Sequence, residues 1–221
     1  MENGSSAQTI AVLGAICDEI ERDRDYLCQL DAALGDGDHG VSMAKSFHAV
    51  KVTLPGLAGQ DVSAILHSVG MTLISEVGGA MGPLFGTAFL RASKVAAGKS
   101  DIAPSDVVEM FAAAEAGVIQ RGKAQPGDKT MLDAIHPAVE AARQAEASGA
   151  DTAGVLAAAA DAAQAGADET KSLVAKVGRA SRLGERTLGH QDPGATSVSI
   201  ILRVAADAAA SAVADSGASA A

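Results

Sequence analysis

Tryptophan is absent, tyrosine occurs once and phenylalanine four times in the 221 residues. A core built on aromatic rings is therefore excluded, and the 48% of hydrophobic residues must pack as Ala, Val, Leu, Ile and Met. Alanine at that density favours close-packed helices. Cysteine is limited to Cys17 and Cys28, in no metal-binding or redox spacing, so buried packing is their expected role and a reducing cytoplasm the expected setting. Positive charge is in deficit: 17 Lys and Arg against 27 Asp and Glu leave a formal charge of −10. Nucleic acids and anionic membranes reward a basic surface, so neither is expected as a partner. An anionic small molecule would need local help, from a cation or a few focused basic side chains. No apolar run reaches about 18 residues without Gly or charge, which argues against a membrane span. The opening MENGSSAQTI lacks the basic segment and apolar run of a secretory signal.

What is present reads as helix after helix. Ile10, Leu13, Ile16, Cys17 and Ile20 recur at helical spacing, and the pattern continues through Leu27 and Leu30 to an end near Leu34, where Gly35 offers a cap. Further helices are predicted after Asp38 toward Val50, from about Asp61 to Val77, over TAFLRASKVA, from Ser105 to Ile119, over TMLDAIHPAVEAARQAEA and from Ala153 to Ala175. GGAMGPLFG, RGKAQPGD and the long stretch Val177 to Gly194 interrupt them. The segment ATSVSIILRVAADAAASAVA could open as a strand on VSII, but its length and alanine-rich continuation predict helix. The expected fold is one all-α domain over residues 1–221, of seven or eight helices, with residues 1–8 and 214–221 as frayed tails.

Chemistry concentrates in the loops. LDAALGDGDHG crowds Asp31, Asp36 and Asp38, although two carboxylates about 4 Å apart repel by about 4 kcal/mol at an effective dielectric of about 20. Gly35 and Gly37 let the backbone fold back so that the three converge. Three hard oxygen donors suit Mg²⁺, with water and phosphate completing the shell. The alternative is structural: Asp36 closes a turn, Asp38 caps the next helix and Asp31 is solvated. If Asp38 ends the loop, the amides of His39, Gly40, Val41 and Ser42 form a first helical turn suited to an anion. GGAMGPLFG permits close approach to a ligand, or serves a tight helix crossing. GVIQRGKA imitates a P-loop, but Ala124 lacks the hydroxyl and no strand precedes it, so a P-loop is rejected. Arg121, Lys123 and Lys129 stand on a glycine-bearing loop, as exposed cations useful for nucleotide charge or merely solvated; farther on, Arg179, Arg182 and Arg186 could brace polyphosphate or pair with local Glu185 or Asp192. Metal ligands, amides, glycines and arginines gathered at one end of a bundle form the inventory of phosphoryl transfer.

In order and over most of the chain, LDAALGDGDHG, GMTLISEVGGAMGPLFGT, GVIQRGKAQPGDKTMLDA and GRASRLGERTLGHQDPGATS resemble the nucleotide-binding L subunit of dihydroxyacetone kinase. The resemblance implies an eight-helix antiparallel barrel holding ADP or ATP and two Mg²⁺ ions in the loops at one end. Asp31, Asp36 and Asp38 would be the Mg²⁺ ligands, and His39, Gly40, Val41 and Ser42 would contact phosphate. Ala80, Met81, Gly122, Thr130, Met131, Arg179, Asp192, Pro193 and Gly194 would surround the nucleotide. Ser42 and Met81 depart from the family pattern, where Asn and Ser are frequent. The ketose would sit on a separate K subunit, and a phosphoenolpyruvate-dependent phosphocarrier would be a further partner if ADP is rephosphorylated in place. Rival readings are a nucleotide-dependent regulatory module acting on another protein such as a transcription factor, a related kinase with a four-carbon ketose acceptor or an acyl-phosphate-forming relative, and a structural helical protein with acidic caps.

Overall fold

The computed structural model describes residues 4–76 and 81–219. Among them there is no strand. Nine α-helices follow in order: α1 Gly4–Arg22, α2 Arg24–Ala32, α3 His39–Thr53, α4 Val62–Glu76, α5 Met81–Val95, α6 Pro104–Gly122, α7 Leu132–Ala147, α8 Thr152–Glu169 and α9 Pro193–Ser219. Short 3₁₀ turns cover Leu54–Leu57, Thr170–Ser172 and Ala180–Thr187. The all-α expectation holds, and the VSII segment is helical.

Boundaries differ where local chemistry competes. The long first helix is broken at Asp23, whose ψ of 7° lies outside the helical region; the charge run ERDRD around it offers no apolar side chain to hold a continuous stripe. Helix α5 starts at Met81, because Pro83 in a first turn has no helical hydrogen bond to lose. Helix α8 stops at Glu169 and not near Ala175: the Thr170 hydroxyl donates to the Ala167 carbonyl and accepts the Asp192 amide, and the chain leaves extended at Leu173. Residues 4–8 and 214–219, expected as frayed ends, have helical backbone.

Packing links the helices in a closed ring. Helix α1 lies on α3, and each later helix lies on the next until α9 returns to α1, with α2 filling the corner between α3 and α9. Leu13, Ile16, Ile20, Leu27, Phe47, Leu73, Leu132 and Val139 belong to one continuous core cluster. On α8 the fully buried Ala159, Ala160 and Ala163 keep the helix slim. Pro137 inside α7 cannot donate to the Asp133 carbonyl, and α8 approaches that carbonyl so closely that a Cβ on Gly166 would lie 2.1 Å from it. Helices α4 and α5 cross at Gly70 and Gly86, where a Cβ on Gly86 would stand 2.6 Å from the Gly70 carbonyl oxygen. Gly86 of GGAMGPLFG thus serves a helix crossing.

The helices frame a partly open apolar pocket of about 470 Å³, reached by Leu13, Phe85, Phe111, Met131, Ile135 and Leu202. Helix α9 is long and apolar enough over Pro193–Ala214 to cross a membrane by length and composition, with a mean hydropathy of 1.5. Here it packs on α1, α2, α7 and α8, and its partly accessible Ile201, Leu202 and Ala205 line the pocket. Arg203 on the same helix pairs with Asp161 of α8. Cys17 is fully buried in the core, where burial pushes its thiol up to about 12, so it is a packing residue.

Candidate functional site

Asp31 lies in the last turn of α2, where the amides of Leu34 and Gly35 both return to its carbonyl and tighten the helix end. Gly37 then takes a φ of +75°, a conformation costly for a residue with a Cβ. The chain reverses, and Asp31 Oδ2 accepts the amides of Asp38 at 3.0 Å and His39 at 3.2 Å. The start of α3 is therefore capped by a carboxylate from the preceding helix. Asp38, in the N-cap position, makes no capping bond of its own. Gly40 permits this geometry, since a Cβ there would fall 1.9 Å from the Arg24 carbonyl oxygen.

The consequence is convergence. One carboxylate oxygen from each of Asp31, Asp36 and Asp38 lies within 4.8 Å of the others, with Asp31 half-buried and the other two exposed. Burial, and then the neighbouring Asp36 charge, push the Asp38 carboxyl above its ordinary range, while Arg179 draws it down. Arg179 pairs with Asp36, so its carboxylate partner is neither Glu185 nor Asp192 but the acidic loop itself. Three oxygen donors with no thiolate or ring nitrogen among them fit Mg²⁺, and the exposed side leaves room for water and phosphate oxygens.

The other predicted residues divide into two groups. The His39 ring is buried and its Nε2 lies 2.8 Å from Ser197 Oγ on α9. Burial holds this imidazole down to about 4, a neutral ring at physiological pH. In the first turn of α3 the His39 amide is taken by Asp31 and the Ser42 amide by the Asp38 carbonyl, while Val41 is exposed. The His39–Ser197 contact sets the acidic loop beside the start of α9. There Asp192 Oδ2 accepts the Ala195 amide at 2.8 Å, and a Cβ on Gly194 would be 3.5 Å from Met131. Burial, and beyond it the nearby Asp133, raise the Asp192 carboxyl to about 7 against the hydrogen bonds and the Lys129 charge.

Met131 is buried and lines the apolar pocket among the helices. Thr130 is half-buried, donating its amide to Asp133 Oδ2. Gly122, the last residue of α6, meets Leu84 of α5. Met81 opens α5, and Ala80, with Gly78 and Gly79, lies outside the described residues. Among the described residues no hydrogen bond or ion pair joins Met81 or Gly122 to the aspartates. Lys129 needs correction: far from being an exposed loop cation, it is 2% exposed and donates to two backbone carbonyls. Asp133 was missed as a loop organiser, although Thr130 and Asp133 have the spacing of a capping box.

Residues 33–207 match the DAK2 domain. The chain belongs to the DAK2 domain family. Among DAK2 relatives, the Escherichia coli K12 protein named PEP-dependent dihydroxyacetone kinase, ADP-binding subunit DhaL, is 43% identical over 93% of this chain and 98% of its own. A Listeria innocua protein named as the ADP-binding subunit of PEP-dependent dihydroxyacetone kinase 2 is 39% identical over 92% of this chain and 94% of its own. The crystal structure of the C. freundii dihydroxyacetone kinase with AMP-PNP and Mg²⁺ aligns with a TM-score of 0.71 at 28% identity, over 91% of this chain. The DAK2 chain described here spans about a third of that kinase. The resemblance read from the four motifs is therefore upheld, and the relatives are named as subunits of kinases that work in parts.

Proposed function

We propose that this chain is the nucleotide-binding subunit of a ketose kinase assembled from separate parts. It would hold Mg²⁺ and a nucleotide in the loops at one end of an antiparallel helical barrel, while a K subunit presents dihydroxyacetone or a similar short ketose. The observation that carries this reading is the convergence of Asp31, Asp36 and Asp38 within 4.8 Å. Such crowding of like charge is unfavourable unless a cation offsets it. Bound there, Mg²⁺, with two ions expected, would neutralise polyphosphate and polarise the phosphoryl group.

The chain's own contribution is positioning. Asp31 fixes the loop by accepting two amides, which leaves Asp36 and Asp38 facing outward on a set backbone. Arg179 carries the segment after α8 to Asp36 and so sets a guanidinium next to the phosphate position. The turn Asp192–Gly194 and Thr130 flank the same end. Because the bacterial relatives that match nearly end to end are named as ADP-binding and PEP-dependent, ADP retained on the chain and rephosphorylated by a phosphocarrier is favoured over freely exchanging ATP.

Titration calorimetry with Mg²⁺-ADP tests the site: wild type binds, and Asp36→Ala and Asp38→Ala each lose about 10–100-fold in affinity. Unchanged affinity in both variants rejects the assignment. Reconstitution with a K subunit, Mg²⁺ and either phosphate donor tests the reaction. Binding without ketose phosphorylation under any such condition would favour a regulatory nucleotide-binding module.

A further inference from the structure

We propose that Lys129 is a positioning residue of this site, a buried cation that pins three separate loops around the nucleotide end in a single register. The inference rests on the nucleotide-binding reading above. Lys129 has a φ of +61°, a conformation that an L residue with a side chain adopts only when its surroundings over-determine it. Its side chain runs inward, and its ammonium donates to the carbonyls of Thr170, at the end of α8, and His190, just before α9. Lys129 itself stands in the loop before α7, so one side chain ties three chain segments that are 41 and 61 residues apart.

Around this cation the loops also bind one another. The Asp192 amide donates to Thr170 Oγ1, the Gly189 amide to the Lys171 carbonyl and the Lys176 amide to the Asp128 carbonyl. Asp133 collects the amides of Gly127 and Thr130, and Asp133 and Asp192 both act on Lys129 electrostatically. The arrangement holds two largely withdrawn carboxylates and two carbonyls against one ammonium. An ammonium on a flexible stem presents three tetrahedral donors that rotate together about its last bond and so reach carbonyls on different sides, whereas arginine presents a planar fork. Because Lys129 is sealed from solvent, it cannot touch a nucleotide. It acts through its neighbour Thr130 and through the Thr170 and His190 carbonyls it holds, Thr170 in turn accepting the Asp192 amide.

The test is a double-mutant cycle on the full chain, with Lys129→Met, Asp192→Asn and both together, read by calorimetry with Mg²⁺-ADP. Lys129→Met keeps the length and apolar stem but removes charge and donors, and it should weaken binding about 10–100-fold. Read at about pH 9, above the value of about 7 through which Asp192 ionises, adding Asp192→Asn should recover part of that loss, because one of the orphaned charges is gone; a packing role alone leaves the two effects additive. In parallel, backbone amide exchange without nucleotide should quicken at residues 127–131, 170–173 and 189–194 in Lys129→Met. Wild-type affinity and exchange in Lys129→Met, or additive single effects, would overturn the proposal. Failure of wild type to bind Mg²⁺-ADP would instead remove the nucleotide reading, while the exchange measurement still decides the role of Lys129. If Lys129→Met does not fold, the double variant must fold or melt higher than the single one, and failure to do so counts against the proposal.

Discussion

Asp192 shows how burial turns a helix cap into a titrating group. Its carboxylate accepts the Ala195 amide, yet burial raises it from 3.8 to about 7. The folded state thus keeps a proton that the unfolded chain gives up near 3.8, so the stabilisation tied to that proton is present below this value and is lost as pH climbs through about 7. Asp192→Asn carries no charge to bury. Its melting temperature relative to wild type should rise from pH 4 to about pH 7.5 and stay level above, which paired thermal melts across that range will check. A constant difference would mean that Asp192 titrates normally. His39 is the opposite case: its burial gives a neutral ring in contact with Ser197.

At the scale of elements, glycine positions decide how close helices come. Gly40 lets α3 start against the Arg24 carbonyl, and Gly40→Ala must push α2 and α3 apart because the obstruction is backbone. The expected cost is about 1–3 kcal/mol in urea unfolding, together with weaker Mg²⁺-ADP binding, because the cap from Asp31 spans that junction. Gly86→Ala at the crossing of α4 and α5 should cost a similar amount of stability in the same measurement. The break between α1 and α2 belongs at this scale too. It reorients the short α2 toward α3 and α9, which brings Asp31 to the start of α3, and periodicity alone read through it because Leu27 continues the apolar spacing.

For the whole molecule, ligand linkage gives the simplest check. At a nucleotide concentration about 100 times the dissociation constant, Mg²⁺-ADP should add about 2.7 kcal/mol, and the melting midpoint should rise by about 5–10 °C. Equal midpoints with and without it would leave only a helical scaffold with acidic turns. The sequence by itself determined the fold class and the crowding of three aspartates at one helix end. Apolar spacing with alanine and almost no aromatics leaves little but packed helices, and three aspartates among glycines at a helix end are legible as a converging cluster because the glycines let the chain turn back. Only the tertiary structure decided which partner each charge takes. Arg179 reaches Asp36 across 143 residues, Lys129 turns inward to carbonyls from two other loops, and the His39 ring faces α9. Such choices depend on the closing of the ring of helices, which sets distances between loops far apart in sequence; local propensity carries no information about them.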